Sequence, residues 1–216
     1  MNDRIDALAR GVLARAEGRA RYVFAVAGPP GSGKSTLGAA LVAALDRRAP
    51  GRAALMPMDG FHLDDTLLEA RGWRARKGAP HTFDVDGLAW ALRRIRAADR
   101  PVLIPVFDRA IEIARAGARE IAPDQPVIVV EGNYLLLDED PWTALAPLFD
   151  ETLFLGTPEA TLRERLTARW VGFGLDPESV RARVEDNDLP NARLVLARSR
   201  PADHLWSDRA SDSDRA

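Results

Sequence analysis

Nine residues, Gly28-Pro-Pro-Gly-Ser-Gly-Lys-Ser-Thr36, leave this chain few folds to choose from. They read G-x-x-x-x-G-K-S, with Gly28, Gly33, Lys34 and Ser35 at the required spacing. The apolar run Tyr22-Val-Phe-Ala-Val-Ala27 precedes them and reads as a strand. Leu37-Gly-Ala-Ala-Leu-Val-Ala-Ala-Leu45 follows and reads as a helix. Strand, glycine loop and helix in that order predict a phosphate-binding loop. Glycines let successive N–H groups converge on one anion, and the helix start adds unpaired N–H groups and positive dipole. The loop residues Gly28, Pro29, Pro30, Gly31, Ser32, Gly33, Lys34, Ser35 and Thr36 are therefore the candidate nucleotide-binding set. Lys34 is expected on the β- and γ-phosphates of ATP and Ser35 on Mg²⁺. Of 30 basic residues only two, Lys34 and Lys77, are lysines. A compact ammonium stands here, where a point charge among phosphate oxygens is wanted.

Further strands and helices alternate along the chain. Residues 3–20 carry Ile5, Leu8, Val12 and Leu13 on one helical face. Ala53–Met58 reads as a strand, an edge one because of Pro57. Residues 61–82 read as a loop-rich excursion, and Asp86 to Ala98 as a helix that Asp84 or Asp86 caps. Pro101–Phe107 is expected as a third strand, followed by a mobile polar connection over 109–124. Pro126–Val130 has the look of a buried parallel strand, and Glu151–Leu155 of another. Helices are predicted over 141–148, 158–170 and 177–187, and after a break at Pro190 over 190–199. Ala202–Trp206 reads as a last strand, and 207–216 as a flexible tail. The pattern predicts an α/β fold with a mostly parallel five-stranded sheet and helices on both faces. It forms one domain over 1–206, with a small lid at about 163–190.

Ligands of such sheets sit beyond the carboxyl ends of the strands. Asp59, Asp108 and Glu131 fall at three of those ends. Phosphoryl transfer asks the protein mainly for positioning and charge. Asp59 is the candidate base for an acceptor hydroxyl, and Glu131, with Ser35 and Asp59, the candidate Mg²⁺ set. Arg165 and Arg169 share a helix face ahead of the flexible Gly172-Phe-Gly174, which suits closure over a transferring phosphoryl group. His62 and His81 flank the same region as weaker candidates. Trp73 and Trp90 read as core or cover.

At these residues the chain resembles the phosphate-loop kinases that include uridine kinase, phosphoribulokinase and bacterial pantothenate kinase. The matching pieces are Gly28–Thr36, Met58-Asp-Gly-Phe61, Arg71-Gly72 to Lys77-Gly78 with Phe83-Asp84, Pro105-Val-Phe-Asp108, and Glu131-Gly-Asn-Tyr-Leu135. They run in the family's order over residues 22–170. Asn187-Asp-Leu-Pro-Asn-Ala192 resembles the signature of a bacterial subgroup described as nucleoside/nucleotide or fructose-transport-system kinases. The resemblance implies the P-loop NTPase fold, ATP with Mg²⁺, and a small-molecule hydroxyl acceptor. It places Asp59 at the catalytic base, Glu131 at the metal-associated acid, and Arg165 and Arg169 on the lid. It puts Arg198 to Ala202, Arg200 included, at the adenine. Phe83, Asp84, Phe107, Arg109 and Glu112 fall on the acceptor pocket. Asn187 and Asn191, one helical turn apart, are added as substrate candidates.

The departures matter as well. Phe107 stands where uridine and pantothenate kinases resemble one another in having tyrosine, and Arg109 and Glu112 replace the aromatic or histidine residues that follow it. A sugar, a nucleoside or a pantothenate-like alcohol all remain open as acceptor. The alternative class is a nucleotide-binding regulator or energy-coupling ATPase with no small-molecule acceptor. The formal net charge of −2 argues against a nucleic-acid partner. No apolar run is long enough for a membrane span, the N-terminus has no signal-peptide core, and there is no cysteine. A cytoplasmic protein is expected, with a homodimer left open.

Overall fold

The computed structural model describes residues 2–207. Five parallel strands form the central sheet in the order β2-β5-β1-β6-β7: β1 Tyr22–Ala27, β2 Ala53–Pro57, β5 Val127–Gly132, β6 Glu151–Gly156 and β7 His204–Ser207. Alternation divides each central strand between two cores. Val23, Ala25 and Ala27 of β1 join Ile128 and Val130 of β5 on one face, against helix α4 (Val85–Ala97) and the 3-10 segment Trp142–Leu148. Tyr22, Phe24 and Val26 join Val127 and Val129 on the other, under α1 (Asn2–Ala16) and α2 (Lys34–Arg48). The inner strands β1 and β5 are buried at every residue, as sandwiching between helices requires. Pro57 sits on the edge strand as expected.

Two strand assignments change. β3 (Val102–Asp108) is outside the sheet; the fifth place goes to β7. The segment read as a mobile connection is a strand, β4 (Ile113–Ile121), antiparallel to β3 with an irregularity between Ile104 and Val106. Its non-polar positions are mostly alanine and glycine and it is largely exposed, so its sequence carries little hydrophobic alternation.

The short helix α3 (Asp65–Ala70) and two single turns fill the 61–82 excursion. After β6, helices α5 (Glu159–Gly172), α6 (Pro177–Ala182) and α7 (Leu189–Arg198) close a small core of Leu162, Leu166, Val180, Val184, Leu189 and Ala192. No break occurs at Pro190: a π-helical segment, Arg183–Asp188, joins α6 to α7. Proline has no N–H for the carbonyl of Asp186, four residues back. That carbonyl instead accepts a hydrogen bond from Arg76 Nη1 at 2.9 Å. Ser207, read as part of a tail, ends β7 opposite Gly156; residues 208–216 lie outside the described residues. Trp90 is no part of the core, being 64% exposed beneath the Arg93 guanidinium. No described helix is long and apolar enough to cross a membrane.

Candidate active site

The glycine loop turns at Gly31 (φ +82°) and Gly33 (φ +89°), backbone values that favour glycine, and hands the chain to α2 at Lys34. Gly33 gives the helix no side-chain cap, so its first N–H groups have no side-chain partner. Ser32 Oγ, inside the loop, is buried without a protein partner. Both observations fit a bound polyphosphate. Lys34 is buried at the helix start. Burial draws its ammonium below the usual lysine range, against the opposing pull of Glu131 and Asp59.

β5 carries Glu131 to the middle of the sheet edge, level with Val26 of β1 and Pro57 of β2. Its Oε2 accepts from Ser35 Oγ at 3.0 Å. Burial raises this carboxyl, with Lys34 the largest charge opposing it. A hydroxyl and a carboxylate side by side offer the hard oxygen donors that suit Mg²⁺. Among the described residues no three His, Asp or Glu converge as a metal cage. That suits an ion that takes its remaining oxygens from water and phosphate.

Beyond β2 the 3-10 turn Met58–Phe61 holds Asp59. Gly60 makes the turn possible against β3: an added Cβ there would meet the Pro105 carbonyl oxygen at 2.3 Å. Burial would raise the Asp59 carboxyl, but His62, Arg109, Lys34 and Arg169 outweigh it and hold the group below the ordinary carboxylate range. His62 contributes only when charged, and burial keeps it below the usual histidine range. At neutral pH the three fixed cations therefore do the holding. Arg109 reaches Asp59 directly, as an ion pair.

A cavity of about 360 Å³ opens from the loop, lined by Lys34, Asp59, His62, Phe83, Phe107, Arg109, Glu112, Arg169, Asn187 and Asn191 among others. All ten of these were anticipated above, His62 only weakly. Arg169 is half-buried, its guanidinium over Trp170 and Phe173. Arg165 is more exposed, with Nη1 3.5 Å from the Gly31 carbonyl at the loop itself. Asn187 is buried and donates to the Lys77 carbonyl at 2.9 Å, and Asn191 donates to Asn187 at 3.3 Å.

Other candidates lie elsewhere. Asp84 caps α4 through Gly87 N at 2.8 Å and does not line the cavity. Asp108 pairs with Arg115 across the hairpin at 3.1 Å. It is not at a sheet end, because its strand is not in the sheet. His81 packs edge-on against Trp73. Arg198 faces Glu139 at 3.6 Å and Arg200 N bonds the Leu136 carbonyl; neither lines the cavity. The following Asp203 accepts from Thr152 N at the start of β6 at 2.8 Å.

Among the lining residues not selected from sequence are Lys77, Asn133 and Arg183, with Arg74 and Asp188 beside them. Lys77 is buried, with Nζ on Asp65 Oδ1 and on the Glu112 carbonyl, both at 2.6 Å. Its rarity was the available signal: both lysines of the chain line this cavity. Asn133 has a buried Oδ1 with no protein partner, and Arg183 lies over Trp170. Asn133 lies in the piece Glu131-Gly-Asn-Tyr-Leu135 that carries the resemblance, whereas no signal in the sequence singled out Arg183.

A phosphate-gripping loop, a hydroxyl-and-carboxylate pair beside it and a carboxylate lining the adjoining cavity define a P-loop phosphotransferase. Comparison with known proteins agrees. No protein-family model matches the chain. It is 39% identical over 184 residues to an uncharacterized Escherichia coli protein, YggC, covering 84% of this chain and 76% of that one. It is 35% identical over 184 residues to the "putative uridine kinase C227.14" of Schizosaccharomyces pombe, covering 81% and 78%. The crystal structure of a "putative fructose transport system kinase" from Silicibacter sp. TM1040 superposes with a TM-score of 0.87 at 45% identity, covering 94% and 98%. The chain belongs to the P-loop kinases of the uridine kinase and pantothenate kinase type. It is an ATP-binding phosphotransferase with a hydroxyl acceptor.

Proposed function

We propose that the protein transfers the γ-phosphate of ATP to a hydroxyl of a small cytoplasmic metabolite, with Asp59 as the base. The observation that carries this reading is that Asp59, its carboxyl held below the ordinary range by neighbouring cations, lines the same cavity as Lys34 of the phosphate loop and Arg169 of α5. Asp59 takes the proton of the acceptor hydroxyl as that oxygen bonds the γ-phosphorus and the bond from phosphorus to the bridging oxygen breaks. Lys34 and Arg169 offset the charge on the transferring group, and Arg165 approaches from the helix above the loop. Ser35 and Glu131, with Asp59 nearby, would hold Mg²⁺, which when bound neutralises phosphate charge. Residues 163–190 act as the lid that excludes water, on the small core beneath them. Phe83, Phe107, Glu112, Asn187 and Asn191 shape the acceptor end.

Asp59→Asn tests it. Transfer should fall by roughly 10²–10⁴-fold, while ATP affinity stays within a few-fold. Turnover that survives the substitution would remove Asp59 as base.

A further inference from the structure

The cavity wall carries Lys34, Arg74, Lys77, Arg109, Arg169 and Arg183 against three acids, Asp59, Glu112 and Asp188. Lys34 and Arg169 belong to the phosphate end, and Arg109 is paired with Asp59. Asp188 accepts from Trp170 Nε1 at 2.6 Å, and burial raises its carboxyl. Arg74, Lys77 and Arg183 are the cations of this wall that remain. One carboxylate, Asp65, serves two of them: Arg74 at 2.9 Å and Lys77 at 2.6 Å. An ammonium has three donors. Two of those on Lys77 go to Asp65 and to the Glu112 carbonyl; among the described residues the third has no acceptor. Arg183 makes no hydrogen bond to a carboxylate among the described residues.

The aromatic rings point the same way. Phe107 lies under Lys77 Nζ at 5.3 Å and Arg109 Cζ at 5.4 Å, with His62 packed at 4.7 Å. Trp170 carries Arg169 at 5.5 Å and Arg183 at 5.4 Å. Rings already dressed with cations present positive charge to the cavity rather than an open platform for stacking a base.

We infer that the hydroxyl acceptor is an anion, a small hydroxy-carboxylate or a sugar monophosphate, whose negative group is bound by Lys77, Arg74 and Arg183. The inference rests on the kinase reading above. Charge-assisted hydrogen bonds from an ammonium or guanidinium to such a group fix which end of the acceptor faces Asp59. Lys77 and Arg183 are thus specificity-determining rather than catalytic.

The test follows ATP consumption by the full chain with matched acceptors: glycerol against glycerate, fructose against fructose monophosphates, and a set of neutral nucleosides. The carboxylate and phosphate arms separate the two anion sources. An anionic acceptor should have the highest kcat/KM. Lys77→Gln and, independently, the less buried Arg183→Gln should raise its KM by roughly 10- to 100-fold and leave the KM for ATP unchanged. A neutral sugar or nucleoside as best acceptor, or unchanged KM in both variants, overturns the inference and leaves the kinase standing. ATP consumption that no acceptor stimulates and that Asp59→Asn does not alter overturns the kinase reading and this inference with it.

Discussion

The guanidinium of Arg109, at the tip of the β3–β4 hairpin, is ion-paired with the carboxylate of Asp59 on the turn after β2. The hairpin is no part of the central sheet, yet it delivers the cation nearest the proposed base. That pairing, together with Lys34 and Arg169, holds the Asp59 carboxyl below its ordinary range against the burial that would raise it. It also occupies one carboxylate oxygen, so an acceptor hydroxyl must take the other or displace Arg109.

Arg109→Met should therefore move the acid limb of the kcat/KM profile to higher pH. Asp59 is held below the usual carboxylate range partly by Arg109, so its loss lets burial raise the group, and the ionised base is lost sooner on acidification. An acid limb that stays in place would show that another group governs it.

Ser35→Ala removes the hydroxyl that sits 3.0 Å from Glu131. The Mg²⁺ concentration for half-maximal rate should rise by about tenfold or more, while metal-free ADP binding changes little. An unaltered Mg²⁺ requirement would take Ser35 out of the metal set.

Arg21 is a purely structural tie. Its guanidinium, almost fully buried, donates to the carbonyls of Ile95 at 2.7 Å, Ala122 at 2.9 Å, Pro123 at 3.2 Å and Gln125. It pins the end of α4 and the approach to β5 to the start of β1. Arg21→Met strands four buried or half-buried acceptors and should cost about 2–4 kcal/mol in denaturant melts. The KM for ATP should not move.

What could be read in advance follows from how local each signal is. Gly28–Thr36 needs only neighbouring residues to declare itself, and Asp59 and Glu131 follow once their strands are recognised. Asp108 misled because its strand has the same apolar look as the sheet strands but pairs with β4 instead. The alanines and glycine of β4 give no alternation strong enough to reveal that partner. Lys77 and Arg183 lie in an irregular excursion and in a π-helical segment, where no repeat tells which way a side chain faces. The break expected at Pro190 failed because Arg76, 114 positions earlier in the chain, satisfies the carbonyl that proline leaves open. Such a partner is invisible to a local rule.

At the opposite end of the sheet, Glu151 gathers Tyr22 Oη at 2.6 Å, Arg15 Nη2 at 2.6 Å and His204 Nε2 at 2.5 Å. Burial would raise its carboxyl, but these bonds prevail and hold it below the usual value. A depressed folded-state pKa gives stability above the unfolded value that is lost as pH falls through the folded one. Glu151→Gln should thus lower Tm near neutral pH, and the deficit should shrink on acidification below the ordinary glutamate range. A deficit constant with pH would mean that packing rather than charge is lost.

Gly60→Ala probes how the base is positioned. Gly60 is buried, and the missing Cβ leaves room for the backbone of β3: a methyl would stand 2.3 Å from Pro105 O and 2.7 Å from its carbonyl carbon. Backbone cannot rotate aside as a flexible side chain can, so the turn and the hairpin must separate. Overpacking of this kind costs about 1–3 kcal/mol. The displacement acts on Asp59, one residue away, and on its contact with Arg109, which the hairpin carries. The phosphate loop and Glu131 lie on other strands and keep their places. ATP affinity should therefore survive, while kcat falls by roughly 100-fold, the usual penalty for a misplacement near 1 Å. Equal losses of ATP affinity and kcat, measured together by nucleotide titration and steady-state turnover, would point to general unfolding rather than a shifted base.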